Sequence, residues 1–388
     1  MTFKKLLLFI FIILAIVTLG YAITNGNIDT KTNNSKLTKA NPFNGLEADF
    51  LKKLKKRMAY HKVPGVSIAL LKDFKVSWTH AAGVIDLKTN RAVDENTVFQ
   101  AASISKPVFA SVLLKYRQDN NLDLDTNVND LLSSWQLPAH QWSDSNEVTL
   151  RRLLSHSAGT TVHGFAGYAA NEKVPSIISL LNGSIPANSA PIIVDIEPGS
   201  EFRYSGGGTT VAQLVLQDQS HTPLQALAQS TIFTPLDMKH SSYLQPLTGE
   251  LSENSARPYD TNGNVIKGGA HTYATLSAAG LWTTPSDILR LVAQIQQAHL
   301  GIGKSIFTKQ SINEMLTPQI ESMGIGFFLE GDEIISAFSH GGANEGYRAY
   351  LYARTQSGEG IAIMTNSDSG GELIDEIIDS AIETYQWD

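Results

Sequence analysis

Apolar positions along the chain recur with two different periods, and each period predicts a different element. Between residues 45 and 61 they recur every three or four residues, which predicts an amphipathic helix. The apolar positions of that helix are Leu46, Phe50, Leu51, Leu54 and Met58. The basic run between them could mark a membrane-surface helix, but such a run is more often the solvated face of a core-packed helix. A second amphipathic helix is predicted at about 372–385.

Short apolar runs at both ends of the chain predict strands. The first two, at 66–71 and 75–82, are joined by a tight turn at Asp73 and Phe74. Four more are predicted near the C-terminus, at 326–330, 333–338, Tyr347–Arg354 and Gly360–Thr365. Connections this short require antiparallel pairing. With helical stretches and long loops from about 103 to 250, the pattern predicts an α/β (α+β) fold, an antiparallel sheet flanked by helices with an inserted α-helical domain.

The N-terminus has the pattern of a secretory signal. Lys4 and Lys5 precede an apolar run at 6–17, and the small residues Gly20 and Ala22 follow. We expect a signal peptide at 1–22 that is cleaved after Ala22, with an uncleaved anchor helix as the alternative. Residues 23–43 are polar and predict a flexible linker. The protein is therefore expected to be exported, periplasmic or secreted, and to contact the inner membrane only through this segment if it stays uncleaved.

Composition narrows the range of functions. The 388 residues are 42% hydrophobic and 17% charged, which suits one large or two ordinary globular domains. A net charge of −7 without a long basic run argues against nucleic-acid binding. No cysteine is present, which excludes disulfides, thiolate catalysis and cysteine-ligated metals. The histidines are scattered and no Gly-x-Ser-x-Gly occurs, so neither a metallohydrolase nor an α/β-hydrolase is expected, and no cofactor.

A single Ser-x-x-Lys, formed by Ser103 and Lys106, is the strongest candidate for chemistry. A helix that begins at Ser103 would place positions i and i+3 on one face, so that the amine reaches the hydroxyl. Its free N-terminal amides would also favour an oxyanion. To accept a proton the lysine must be neutral, so an apolar helix and a neighbouring positive group would have to lower its pKa from about 10.4 to about 7. By itself, the spacing also arises by chance.

The surrounding residues extend this pattern. The segment 99–107 reads Phe-Gln-Ala-Ala-Ser-Ile-Ser-Lys-Pro, and five further segments follow it in order, at 149–159, 198–208, 235–238, 280–287 and 339–343. Together they resemble the penicillin-binding protein and β-lactamase family of serine hydrolases, especially its class C-like, esterase and D-peptidase branch. The resemblance implies a catalytic domain at 44–388. Its α/β part would cover about 44–115 and 255–388, its helical part about 116–254, and the active site would lie at their junction.

The resemblance also implies roles for individual residues. Ser103 would attack the substrate carbonyl, Lys106 would take its proton, and Tyr204 would act as the second acid and base. The backbone amides of Ser103 and Ala343 would form the oxyanion hole. We expect His156 to cap a helix or anchor a loop rather than to react. The substrate-binding residues that the resemblance implies are His340, Gly341 and Gly342.

Two departures from the family pattern bear on the substrate. The asparagine of the Tyr-x-Asn motif is replaced by Gly206, and His340 stands where the family carries either Lys-Thr-Gly or His-x-Gly. An imidazole would make substrate binding pH-dependent near neutrality. These changes favour a carboxylesterase or D-Ala-D-Ala carboxypeptidase-like enzyme acting on a small ester or D-amino-acid amide. Arg348 is expected in a surface salt bridge rather than on a substrate carboxylate.

Other functions stay open. One alternative is a class C-like β-lactamase, and another is a non-catalytic scaffold that binds the cell wall or a partner protein. The expected ligands are accordingly small esters, D-amino-acid substrates, peptidoglycan fragments or β-lactams.

Overall fold

The computed structural model describes residues 48–145 and 147–387. The predicted signal or anchor at 1–22 and the linker at 23–43 lie outside the described residues. Within those two ranges, no helix combines the length and the apolar character needed to cross a membrane.

A seven-stranded antiparallel sheet joins the two ends of the chain. Its strands are β1 (Gly65–Lys72), β2 (Lys75–Asp86), β3 (Arg91–Ala92), β6 (Phe328–Glu330), β7 (Ala337–Asn344), β8 (Tyr347–Arg354) and β9 (Gly360–Thr365). The strand order is β3-β2-β1-β9-β8-β7-β6, so β1 pairs directly with β9. A separate two-stranded ladder is formed by β4 (Phe99–Gln100) and β5 (Trp282–Thr283). The predicted fold class is confirmed.

Helices cover the sheet and fill the segment between its two halves. They are α1 (Ala48–His61), α2 (Ser105–Asn120), α3 (Val128–Leu131), α4 (Leu150–Leu154), α5 (Ile177–Leu181), α6 (Gly206–Ser220), α7 (Leu224–Ala228), α8 (Gly249–Glu253), α9 (Leu276–Ala279), α10 (Pro285–Leu300), α11 (Lys309–Met315) and α12 (Gly370–Tyr385). A π-helical turn, Gln229–Phe233, follows α7. The short helix α9 packs against both α2 and α6.

The sheet separates two apolar cores. In β9, Ile361 and Ile363 point into a core shared with α1 and α12, whereas Ala362 and Met364 point into the larger core on the opposite face. Successive side chains of a strand point to opposite faces of the sheet, so β9 is buried on both faces. Leu54 of α1 is buried in the first core, whereas Lys53, Lys55 and Lys56 are exposed, so these lysines lie on the solvated face of a core-packed helix.

One strand differs from the prediction. The expected strand at 333–338 is wrong: β7 begins at Ala337 and continues to Asn344. Gly341 and Gly342 both lie within the β7–β8 ladder, beyond the end of the predicted strand. The bounds predicted for β8 and β9 are confirmed.

Candidate active site

The predicted nucleophile lies in a tight turn between β4 and α2. Ser103 belongs to the 3-10 turn Ala102–Ile104, and the α-helix begins only at Ser105, two residues later than expected. Ala102 has φ of 49°, a left-handed conformation that is costly for a residue with a Cβ. Ser105 stabilises the turn: its Oγ donates to the carbonyl of Ala102 at 2.5 Å and accepts from the amide of Leu281 at 3.0 Å.

Lys106 lies beside this serine at the base of a cleft. Its Nζ donates to Ser103 Oγ at 3.0 Å and to the carbonyl oxygen of Ala278 at 2.8 Å. The side chain is 4% exposed, and burial lowers the pKa of Lys106 to about 7. The apolar surroundings therefore account for the shift without the neighbouring positive group that the sequence suggested. Near neutral pH a large fraction of this amine is uncharged and able to accept a proton.

Tyr204 lies next to both groups. Its ring centroid is 4.8 Å from Lys106 Nζ and 4.2 Å from the ring centroid of His156. Burial raises the pKa of Tyr204, and a hydrogen bond with Ser103 opposes this effect. The phenol is consequently protonated at neutral pH and can act as a proton donor.

His340 lies on β7 across the cleft and is 1% exposed. The neighbouring strand β6 pairs with β7 only from Ala337 to Ser339, so His340 is the first residue of β7 beyond that pairing. Its Nδ1 lies 2.6 Å from the carbonyl oxygen of Gly341, which can only accept, so the proton of the neutral ring is on Nδ1. Burial, followed by the charge of Lys106, lowers the pKa of His340 to about 3. The expected titration near neutrality is therefore wrong, because a buried imidazole resists protonation.

Gly342 allows β7 to approach the turn that carries the serine. A Cβ built at this glycine would lie 2.3 Å from the carbonyl oxygen of Ala101 and 3.2 Å from the Cβ of Ala102. The absence of a side chain therefore keeps the backbone of Ala343, the predicted second oxyanion donor, next to the turn that contains Ser103.

The variant Gly342→Ala should lower stability because the new Cβ would push β7 away from the turn. We expect a loss of roughly 1–3 kcal/mol, typical of overpacking in a rigid site. Thermal unfolding followed by circular dichroism measures it, with Gly164→Ala as the control. A Cβ at Gly164 would have no heavy atom within 4 Å. Equal melting temperatures for both variants would contradict the proposed close approach.

The cleft has a volume of about 450 Å³ and contains the predicted Ser103, Lys106, Tyr204 and His340. Sequence reasoning missed most of its walls. These residues come from the loops around 163–165, 202 and 321–327 and from the start of β6, and they include His163, Phe165, Phe202, Met323 and Phe328. No periodic pattern marks them, so the sequence carried no clear signal for them.

Other polar groups near the cleft have structural partners. Arg348 pairs with Asp368 at 2.9 Å, as the sequence suggested, and also donates to the carbonyl oxygens of Asn344 and Tyr347. In the part of the chain that the structure describes, no cluster of His, Asp and Glu side chains could hold a metal ion.

Comparison with known proteins identifies the family. The family model described as Beta-lactamase matches residues 50–383, most of the chain. The chain belongs to the β-lactamase family. A curated relative, Protein flp of Staphylococcus aureus strain N315, is 21% identical over 327 residues, which cover 79% of this chain and 60% of that protein. The chain thus matches less than two thirds of the length of this relative.

Several solved structures share the fold of this β-lactamase-family chain. EstCE1, a hydrolase with promiscuous acyltransferase activity, has a TM-score of 0.69 at 19% identity and covers 86% of this chain and 97% of its own. The D-amino acid amidase from Ochrobactrum anthropi SV3, complexed with L-phenylalanine, has a TM-score of 0.68 at 21% identity. That match covers 87% of this chain and 100% of the amidase. At these identities the likeness establishes the fold alone.

In this β-lactamase-family chain, Gly206 takes the place of the asparagine of the Tyr-x-Asn motif. The amide of Gly206 donates to the carbonyl oxygen of His163 at 2.9 Å. A Cβ at this position would lie 3.1 Å from that oxygen and 3.2 Å from the ring of Phe165. The loop at 163–165 therefore occupies the space into which a longer side chain would project.

His156, in the segment 149–159, binds the residue that caps α6. It is buried, and its Nδ1 accepts the amide proton of Ser205 at 3.2 Å. Ser205 Oγ in turn caps α6 by accepting from the amide of Gly208 at 2.8 Å. Burial, followed by the charge of Lys106, lowers the pKa of His156 well below its usual range. These contacts fit the expected role of His156 in anchoring a loop.

Proposed function

We propose that the protein is an exported serine hydrolase that cleaves an ester or a D-amino-acid amide through an acyl-enzyme. The observation that carries the proposal is the 3.0 Å contact between Lys106 Nζ and Ser103 Oγ, made by a buried amine whose pKa is about 7. Membership in a hydrolase family supports it. The amidase and the hydrolase among the structural neighbours support the choice of substrates.

In the first half of the reaction, Ser103 Oγ would form a bond to the substrate carbonyl carbon while Lys106 Nζ accepts the hydroxyl proton. The amides of Ser103 and Ala343 would stabilise the resulting oxyanion, an effect worth about 3–4 kcal/mol for one such donor in other enzymes. The tetrahedral intermediate would then collapse, and the bond to the leaving group would break. Tyr204, protonated and hydrogen-bonded to Ser103, is placed to donate a proton to that group.

The second half of the reaction would return the enzyme to its starting state. The proton held by Lys106 would pass back to Tyr204, and a water molecule would add to the acyl carbon. The same groups would take the water's proton and return one to Ser103 Oγ as the ester bond breaks. The amine and the phenol pass one proton between them and both return to their starting protonation states. The reaction cycle therefore balances in protons without a cofactor.

A fluorophosphonate probe tests the proposal. The probe should label the folded protein, and fragmentation of the labelled peptide by tandem mass spectrometry should place the adduct on Ser103. Circular dichroism of the same sample verifies that the protein is folded. A folded protein that stays unlabelled would support the scaffold alternative, and an adduct on another serine would contradict the assigned nucleophile.

The rate of acylation should depend on the ionisation of Lys106. Its pKa lies at about 7, so below that pH the amine is protonated and cannot act as a base. We expect kcat/KM for a nitrophenyl ester to rise about tenfold per pH unit below pH ~7 and to level off above it, since kcat/KM reports the free enzyme. A midpoint close to the ordinary lysine value of about 10.4 would contradict the proposed shift.

A further inference from the structure

The wall of the cleft beside Tyr204 is aromatic and apolar. The rings of Phe202 and Phe328 meet edge-on at 6.1 Å, and Phe328 stacks parallel to Tyr204 at 6.4 Å. Met323 and Phe165 extend this apolar lining. A surface of this kind gains free energy when an apolar group covers it, in proportion to the area removed from water.

The cleft also lacks a free positive charge. Among the described residues that line it, the lysine and arginine side chains are Lys106 and Arg348. Lys106 is the proposed base and must be neutral to act, and Arg348 is held by Asp368 and two backbone carbonyls. A substrate carboxylate would therefore find no unpaired cation, and the exposed Glu321 at the wall would repel it.

His340 does not supply this charge. Its Nδ1 donates to the carbonyl of Gly341 at 2.6 Å, so this nitrogen is already used within the protein. The ring is neutral at neutral pH because burial lowers the pKa of His340 to about 3. To bind a carboxylate as a cation at neutral pH, this ring would need a pKa several units higher, which has a corresponding cost in free energy.

We propose that the cleft selects neutral substrates with an apolar acyl group, and that esters or amides bearing a carboxylate on the leaving group are excluded. This inference rests on the proposed function, because it assumes that Ser103 is acylated in this cleft. It distinguishes a neutral ester or amide from the C-terminal carboxylate that a carboxypeptidase must bind. The aromatic wall supplies the attraction, and the missing cation supplies the exclusion.

Two matched esters test the exclusion. Phenyl phenylacetate and its 3-carboxyphenyl analogue share the acyl group and differ by one carboxylate. We expect kcat/KM of the wild-type enzyme to be at least tenfold higher for the uncharged ester. A ratio near one, or a preference for the carboxylated ester, would overturn the inference.

The variant His340→Lys tests the reason for the exclusion. At pH 6 a lysine at this position would be protonated even if burial lowered its pKa as far as that of Lys106, and it would supply the missing cation. The ratio of kcat/KM between the two esters at that pH should therefore shift about tenfold toward the carboxylated one. His340→Gln, which adds no charge, is the control and should leave the ratio near the wild-type value. Because each ratio is measured within one variant, a general loss of activity does not affect it.

A series of nitrophenyl esters from acetate to hexanoate tests the apolar wall. We expect kcat/KM to rise about fourfold for each added methylene, the ratio that corresponds to the transfer of one methylene from water. Phe165→Ala should weaken this dependence. Phe74→Ala, at the turn between β1 and β2 and outside the cleft lining, should retain it.

Failure of this inference can be told apart from failure of the proposed function. A folded protein that fluorophosphonate does not label at Ser103 would overturn the proposed function. A protein that is labelled at Ser103 but prefers the carboxylated ester, or shows no gain with longer acyl chains, would overturn only the selectivity.

Discussion

Replacing Lys106 with methionine should lower the rate at which Ser103 is acylated by at least 100-fold. General bases contribute about 10²–10⁴-fold, and Lys106 Nζ is the basic nitrogen found at 3.0 Å from the serine hydroxyl. Methionine keeps an unbranched side chain of similar length in the buried site, so the change removes the amine with little effect on packing. The measurement is the pre-steady-state burst of nitrophenol from a nitrophenyl ester, with Ser103→Ala defining the uncatalysed rate.

A second lysine of the same helix provides the control. Lys115 also lies on α2, where it pairs with Asp119 at 2.7 Å on the surface. Lys115→Met should acylate at the wild-type rate, since surface pairs of this kind contribute little to stability. If Lys106→Met retained near-native acylation, another group would have to be the base, and the proposed mechanism would be wrong.

The main elements of the fold could be predicted because they follow simple periods. The C-terminal strands Tyr347–Arg354 and Gly360–Thr365 are uninterrupted apolar runs bounded by turn residues, and both were located to the residue. The strand β7 was misplaced because Gly341 and Gly342 have low strand propensity. A glycine is required at position 342 because the backbone of Ala101 lies against it, and this contact is visible only in the folded structure.

The site could be predicted only where its residues form a motif. Ser103 and Lys106 are three residues apart, so local geometry brings them together. The carbonyl of Ala278, which accepts from the lysine, is 172 residues away and depends on how α9 packs against α2. The protonation state of His340 was misjudged for a related reason, because a reference pKa describes a solvated ring and the sequence does not reveal the depth of burial.

Replacing Tyr204 with phenylalanine should have the second large effect, and its size should depend on the leaving group. The variant keeps the ring that packs against His156 at 4.2 Å but loses the hydroxyl that bonds to Ser103. Burial raises the pKa of Tyr204, so the phenol enters the reaction protonated and serves first as an acid. An alkyl ester needs that proton because an alkoxide is a poor leaving group, whereas nitrophenolate leaves without help.

We therefore expect Tyr204→Phe to lower the acylation rate about 100-fold or more with an ethyl ester, within the range of general acid catalysis, and far less with the nitrophenyl ester of the same acid. Single-turnover measurements on both esters separate acylation from later steps. Phe202→Leu, on the same loop and wall, is the control, since it changes packing but removes no proton donor. An equal loss on both esters would show that Tyr204 holds the geometry of Ser103 and does not protonate the leaving group.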